Sequence, residues 1–246
     1  HEIAGRAEER LHFDIQPDIA ERLGYNNRKS GKAVERFMKY YFLVTRDVGD
    51  LTRILFAAIE HDESEARVKG ENYFGFETLD GRLNFGAAQD LKIHPLDMLR
   101  LFRAFQETGK DIHPHALKEI ARHIRYIDDT VRQDPLANEL FLEILTSKKE
   151  AALTLRRMNE SGVLGRFVPD FGRIIALMQF DRYHHFTVDE HTIHCIDLLH
   201  KLERGELRDD APIASDVAKN IRDRTALFVA LFLHDICKGR GGRHAE

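Results

Sequence analysis

The chain has 246 residues, 43% hydrophobic and 32% charged, which are ordinary proportions for a globular protein able to bury a real core. A net charge of −4 argues against a dedicated nucleic-acid or membrane-surface binder. No apolar run approaches the roughly 18 residues of a membrane helix, no signal peptide is visible, and two cysteines, Cys195 and Cys237, make no disulfide framework, so a cytoplasmic setting is the default.

In chain order, residues 1–11 read as the end of a helix, with Arg6, Glu9 and Arg10 on a charged, solvated face. Pro17 at a first-turn position and Gly24 bracket a short helix, and 26–31 is loop. From about Lys32 to Glu60, Val34, Phe37, Met38, Tyr41, Val44, Val48, Leu51, Leu55 and Ile59 recur at steps of three and four. That is one stripe of a long helix, expected to pack into the core. The charged stretch His61–Gly70 is expected to be exposed. Asp80-Gly81, flanked by Phe76/Leu79 and Leu83/Phe85, is a tight-hairpin signal, because the turn needs positive φ.

Helical periodicity resumes at Pro95. Leu96, Leu99, Phe102 and Phe105 line a helix closed by Gly109. A second begins at Pro114 with Leu117, Ile120, Ile124, Ile127 and Val131 inward, a third at Pro135 with Leu136, Leu140 and Ile144, and a fourth spans Lys149–Met158 up to Gly162. Short connections between such helices imply antiparallel neighbours, hence a bundle. Arg166–Asp181 reads as a further helix carrying Ile174, Ile175 and Met178, and Glu203–Ser215 as a polar loop.

The stretch that carries chemistry lies at the end. Ala226–Leu233 is eight apolar residues with a single β-branched one, which favours a helix buried all round, and it ends in His234-Asp235. An imidazole and a carboxylate in an apolar interior need partners. A divalent cation beyond the helix end is one, and a structural ion pair capping the helix is the blander one. Upstream, Phe186-Thr-Val-Asp-Glu-His191 reads as a loop leading to a helix, with Asp189 as N-cap and His191 in the first turn. His194 and His200 follow on the same helix with packing or surface roles, and His184 and His185 precede it in loop. Cys195, four residues after His191, and Cys237, three after His234, admit a thiolate zinc site, though small buried apolar roles are commoner. The tail from Lys238 through Arg240 to His244 is basic and Gly-rich, suited to phosphate or to a surface loop.

An apolar helix, His-Asp and an earlier His on another helix resemble the HD superfamily of metal-dependent phosphohydrolases. A wider set of motifs occurs in order: Arg6-Ala-Glu-Glu-Arg-Leu, Val34-Glu-Arg-Phe-Met-Lys-Tyr-Tyr-Phe, Met158-Asn-Glu-Ser-Gly-Val-Leu-Gly, Thr187-Val-Asp-Glu-His-Thr and His234-Asp-Ile-Cys-Lys-Gly-Arg-Gly-Gly. Together they resemble the bifunctional uridylyltransferase/uridylyl-removing enzymes that modify the nitrogen-regulatory PII protein. The resemblance implies an all-α fold: a helical-bundle domain at 1–165 with a small β-hairpin insertion, then a partial HD-type helical domain at 166–246. It implies a nucleotidyltransferase domain that uses UTP before His1, and a last metal-binding Asp and two glutamine-sensing ACT domains beyond Glu246. It implies His191, His234 and Asp235 as metal ligands, with His234, Asp235 and His244 catalytic and Lys238 and Arg240 holding phosphate. The implied cation is Mg²⁺ or Mn²⁺, with Zn²⁺ or Fe²⁺ as further options. Arg243 stands where the family usually has an acidic residue. The fragment alone is expected to be inactive. An HD phosphohydrolase of free nucleotides and a non-catalytic helical module are the competing readings.

Overall fold

Local chemistry sets most of the helix boundaries in this computed structural model, which describes residues 10–28, 31–62, 72–87, 89–180 and 186–240 together with isolated positions 3, 5 and 7. The described residues form twelve α-helices and one hairpin. Pro17 sits in the first turn of α1 (Gln16–Arg22), and α2 (Ala33–Asp62) is the long helix. The hairpin pairs β1 (Glu77–Leu79) with β2 (Arg82–Asn84), Leu79 opposite Arg82. Its turn places both Asp80 and Gly81 at positive φ, 52° and 74°, a geometry glycine adopts without strain.

The bundle follows as α3 (Asp97–Thr108), α4 (Pro114–His123), α5 (Asp129–Gln133), α6 (Pro135–Thr146), α7 (Ala151–Glu160), α8 (Val163–Phe167) and α9 (Pro169–Ile174). Gly109 closes α3 in the left-handed conformation, with its N–H donating to the Phe105 carbonyl. Asp134 caps α6 through the Leu136 N–H, and Pro135 occupies the first turn, where no donor is missed. The last third is α10 (Val188–Arg204), α11 (Pro212–Lys219) and α12 (Arg224–Leu233), followed by a 3-10 turn at Ile236–Arg240. One large core runs through these elements, from Phe76 and Leu83 of the hairpin to Phe228, Phe232 and Ile236; a smaller one joins α1 and α2 through Ala20, Val34, Phe37, Met38 and Met178. Among the described residues no helix is long and apolar enough to cross a membrane.

Several expectations need correction. The helix read over residues 1–11 lies largely outside the described residues, and Arg10 and Leu11 are not helical. The α2 stripe is core only at its start: beyond Met38, the side chains of Tyr41, Val44, Val48, Leu51 and Leu55 are exposed, the last two at 67% and 59%. The helix expected to run from Pro114 to Val131 is broken, because the Asp128 carboxylate accepts from the Thr130 and Val131 N–H groups and starts α5 anew. Ile144 is buried as expected, but Leu136 faces outward, and α6 also buries Ala137, Phe141 and Leu145.

The helix expected to reach Asp181 stops at Ile174, and Ala176 takes φ 55°. Its buried N–H donates to the Asp189 carboxylate, so the stop is a tertiary effect. The polar stretch 203–215 is helix at both ends, since α10 reaches Arg204 and Pro212 opens α11. The apolar α12 is not buried all round. It packs through Phe228 and Phe232, while Ala226, Ala230 and Leu233 face outward.

Candidate metal centre

Two helices bring the candidate residues together. α12 is anchored by Phe232, which stacks on Phe171 of α9 at 5.2 Å and meets Phe141 of α6 at 5.5 Å. α10 is anchored at its first turn. Asp189 was expected to cap this helix, but Thr187 occupies the cap position without a side-chain bond. The buried Asp189 carboxylate instead accepts from Asn159 Nδ2 of α7 at 2.9 Å and from the Ala176 N–H at 3.1 Å. Such bonds to a charged acceptor are worth roughly 1.5–3 kcal/mol each. They fix the turn from which His191 projects.

At the junction the His191 and His234 ring centroids are 5.5 Å apart. Asp235 Oδ2 lies 3.3 Å from His234 Nε2 and 3.9 Å from His191 Nε2. The His234 Nδ1 is 2.6 Å from the Leu231 carbonyl oxygen, which can only accept, so Nδ1 carries hydrogen. In the neutral ring, Nε2 then presents its lone pair toward the Asp235 carboxylate. The Asp235 oxygen that faces Nε2 also accepts from the Lys238 ammonium, which places a positive charge beside the two acceptors; a divalent cation there would engage the Nε2 lone pair directly. The Asp235 side chain is only 13% exposed, those of His191 and His234 somewhat over a third.

Cys195, one helical turn after His191, joins the group: its Sγ is 3.6 Å from His191 Nε2, and one donor atom each from His191, Cys195 and His234 lie within 4.8 Å of one another. Burial, then the nearby Asp235 charge, push the Cys195 thiol pKa up. The cluster therefore fits a divalent cation in donor type and in spacing.

Lys238 belongs to the same corner. Its ammonium donates to Asp235 Oδ2 at 2.8 Å and to Gln179 Oε1 at 3.0 Å. Gln179 lies in the Met178-Gln-Phe-Asp stretch, whose order alone assigns it no role at the site. Arg240 is engaged elsewhere: its guanidinium pairs with Asp170 of α9, and this hydrogen bond holds the Asp170 carboxyl below its usual range. The segment read as a flexible glycine tail is, through residue 240, a 3-10 turn packed on α9. A Cβ added at Gly239 would lie 2.7 Å from Arg173 Cβ and 3.1 Å from its carbonyl carbon, so that glycine is a close-contact residue. α8 and α9 cross just as tightly at Gly165 and Gly172.

His244, Arg243, His184 and His185 lie outside the described residues. His194 packs on Phe186 at 5.1 Å, and Cys237 is exposed. His200 is buried against Phe228, far along α10, with its pKa pushed down to about 4 by burial and then by Arg224. A cleft of about 330 Å³ lies at the start of α10, lined by Phe42, Asn159, Phe186 and Asp189, but none of His191, His234 or Asp235 lines it.

A family model described as the third domain of the uridylyltransferase GlnD matches residues 76–167, and one described as GlnD PII-uridylyltransferase matches residues 1–56. The bifunctional uridylyltransferase/uridylyl-removing enzyme of Azospirillum brasilense is 49% identical over 255 residues, an alignment spanning 100% of this chain and 27% of the relative. That of Rhodospirillum rubrum is 48% identical over 254 residues, with the same coverage. No solved structure matches the chain. With both GlnD models and these relatives aligned along it, the chain belongs to the GlnD family of uridylyltransferase/uridylyl-removing enzymes, spanning 27% of the length of the curated members it matches.

Proposed function

We propose that the chain is the part of a PII-modifying enzyme that begins its uridylyl-removing site, with residues 1–165 a helical domain supporting UTP-dependent transfer elsewhere in the polypeptide and 166–246 the front of an HD domain. The observation that carries this reading is the convergence of His191 from α10 with His234 and Asp235 from the end of α12. A helical interaction module would not need an imidazole and a carboxylate from separate elements aimed at one point. The reading extends to a cytoplasmic enzyme whose partner is the PII protein and whose effector is glutamine, sensed by domains outside this chain.

The substrate bond on this reading is a phosphodiester between uridylate and a tyrosine of PII. Water oxygen bonds to phosphorus as the phosphorus–phenoxide bond breaks, yielding UMP and free tyrosine. His191, His234 and Asp235 would hold a divalent cation; when bound, it would supply a nucleophile at neutral pH and neutralise charge on phosphoryl oxygens. The leaving phenoxide, with a reference pKa near 10, needs little acid assistance, so His244 serves at most as an auxiliary donor. The chain's own residues do the positioning. Leu231 fixes the His234 tautomer, Asp189 fixes the first turn of α10, and Lys238 puts a cationic charge beside Asp235, where a phosphoryl oxygen would approach. Arg240, tied to Asp170, contributes to the packing of the turn instead.

The test is His234→Ala in the full-length protein, assayed in both directions. The expected result is a loss of uridylyl removal of about a thousandfold or more, near 4 kcal/mol of barrier, with uridylyl transfer kept within about twofold. Unchanged removal would overturn the proposal, and a hydrolysis of free nucleotides that exceeds that of uridylyl-PII would favour the free-nucleotide phosphohydrolase.

A further inference from the structure

Cys195 lies in the cluster described above but has no part in the ligand set His191, His234 and Asp235, and its position is specific. It lies four residues after His191 on α10, so both side chains leave the same helix face, stacked one turn apart. Its Sγ stands 3.6 Å from His191 Nε2. A tetrahedral centre with about 2.3 Å to sulfur and about 2.0–2.1 Å to imidazole nitrogen has an S···N edge of about 3.6 Å. Asp235 stands outside the three donors that all lie within 4.8 Å of one another, but its Oδ2 is 3.3 Å from His234 Nε2, against a nitrogen–oxygen edge of about 3.3–3.4 Å in such a centre. The third relation, from His191 Nε2 to Asp235 Oδ2, is 3.9 Å, so these two groups would close by about half an ångström around a centre of this kind.

Resting on the metal-site reading above, we propose that Cys195 is a fourth donor, giving a His₂–Cys–Asp set that selects Zn²⁺ or Fe²⁺ over Mg²⁺. The selection follows from ligand chemistry. Thiolate sulfur is a soft donor that binds zinc and iron well and magnesium poorly, and Mg²⁺ demands an octahedral shell of oxygens. Among the described residues, two imidazoles and a thiolate leave Asp235 as the hard ligand. Cys237, although it sits in the same short segment, is exposed and outside the cluster, so it serves as an internal control.

The experiment loads full-length protein with Co²⁺ alone and records its absorption. The wild type is expected to show ligand-field bands together with a near-ultraviolet thiolate-to-cobalt charge-transfer band. Cys195→Ser should lose the charge-transfer band and keep the ligand-field bands, Cys237→Ser should keep both, and His234→Ala should lose both. Zinc affinity should fall tenfold or more in Cys195→Ser, with Mn²⁺ affinity unchanged within about threefold. X-ray absorption at the zinc edge of the wild type needs no variant and should show one sulfur neighbour at about 2.3 Å. His234-dependent ligand-field bands without a charge-transfer band, or a zinc shell of nitrogen and oxygen only, would overturn the role of Cys195 while leaving the metal site intact. Absence of any His234-dependent cobalt band would overturn both.

Discussion

The seam between α10 and α12 holds a histidine near each end, and the two sit in opposite circumstances. Near one end His200 is 5% exposed, packed on Phe228 at 4.8 Å, and bordered by the Arg224–Glu203 ion pair, whose arginine also lies over the Phe228 ring. Near the other, His191 keeps over a third of its side chain in solvent and faces His234, Asp235 and Cys195. The same pair of helices builds both corners. What differs is what α12 brings: Phe228 and a guanidinium to the closed corner, His234 and a carboxylate to the open one. Burial beside cations keeps His200 neutral, which suits packing. His191, partly exposed, instead sets its ring beside the Asp235 carboxylate and the Cys195 sulfur, where donor atoms from two helices converge.

If the closed end is the anchor, truncating it should cost the most. Phe228→Ala removes a fully buried ring and is expected to lower stability by about 3–5 kcal/mol in urea unfolding of the full-length protein. A loss under about 1 kcal/mol would show that the seam is not held there. The open end depends on a close backbone approach instead. Gly239→Ala forces a methyl onto Arg173 and should cost about 1–3 kcal/mol; on the proposed function, uridylyl removal by the full-length protein should fall more than transfer, because the turn carrying Lys238 shifts. Equal loss of both activities would make Gly239 a purely structural residue.

The smallest expected effect is the pH signature of His200. Its pKa is about 4 in the folded protein, lowered first by burial, then by Arg224 and, less, by Arg204, with Glu203 and Asp197 opposing. The unfolded chain, titrating near 6.5, therefore binds the proton first, and the stability contribution of this residue is lost as pH falls from about 6.5 toward 4. Replacing it by an apolar ring, His200→Phe, should flatten the fall in melting temperature between pH 7 and pH 5. An unchanged slope would assign the acid sensitivity to other groups.

How legible this was depends on whether a signal is local. The Asp80-Gly81 turn, the helix start at Pro135 and the Gly109 stop each involve residues within a few positions, and each is legible from order alone. The α3 stripe also predicted its own burial, with Leu99, Phe102 and Phe105 all in the core. The equally regular α2 stripe did not, because periodicity fixes which side chains share a face and not whether anything covers that face. The stop at Ile174 was hidden for a related reason: it depends on Asp189, thirteen residues beyond the N–H it satisfies. α11 was missed because its helix buries little, only Ser215 and Ala218.

At the site, the pairing of His191 with His234 and Asp235 follows from the resemblance to HD phosphohydrolases, which asks for a histidine on an earlier helix. The Asp189 tie and the Gln179–Lys238 bond were not legible in the sequence, since each depends on how α7, α9 and the 176–180 segment pack.

The most direct test of the account is the Mn²⁺ stoichiometry of full-length wild type against Asp235→Asn, a near-isosteric change, read from the electron-paramagnetic signal of the free ion. The account predicts that the variant binds at least one fewer equivalent while its fold and uridylyl transfer are retained. Equal stoichiometry and affinity in the two proteins would contradict a cation held between α10 and the end of α12.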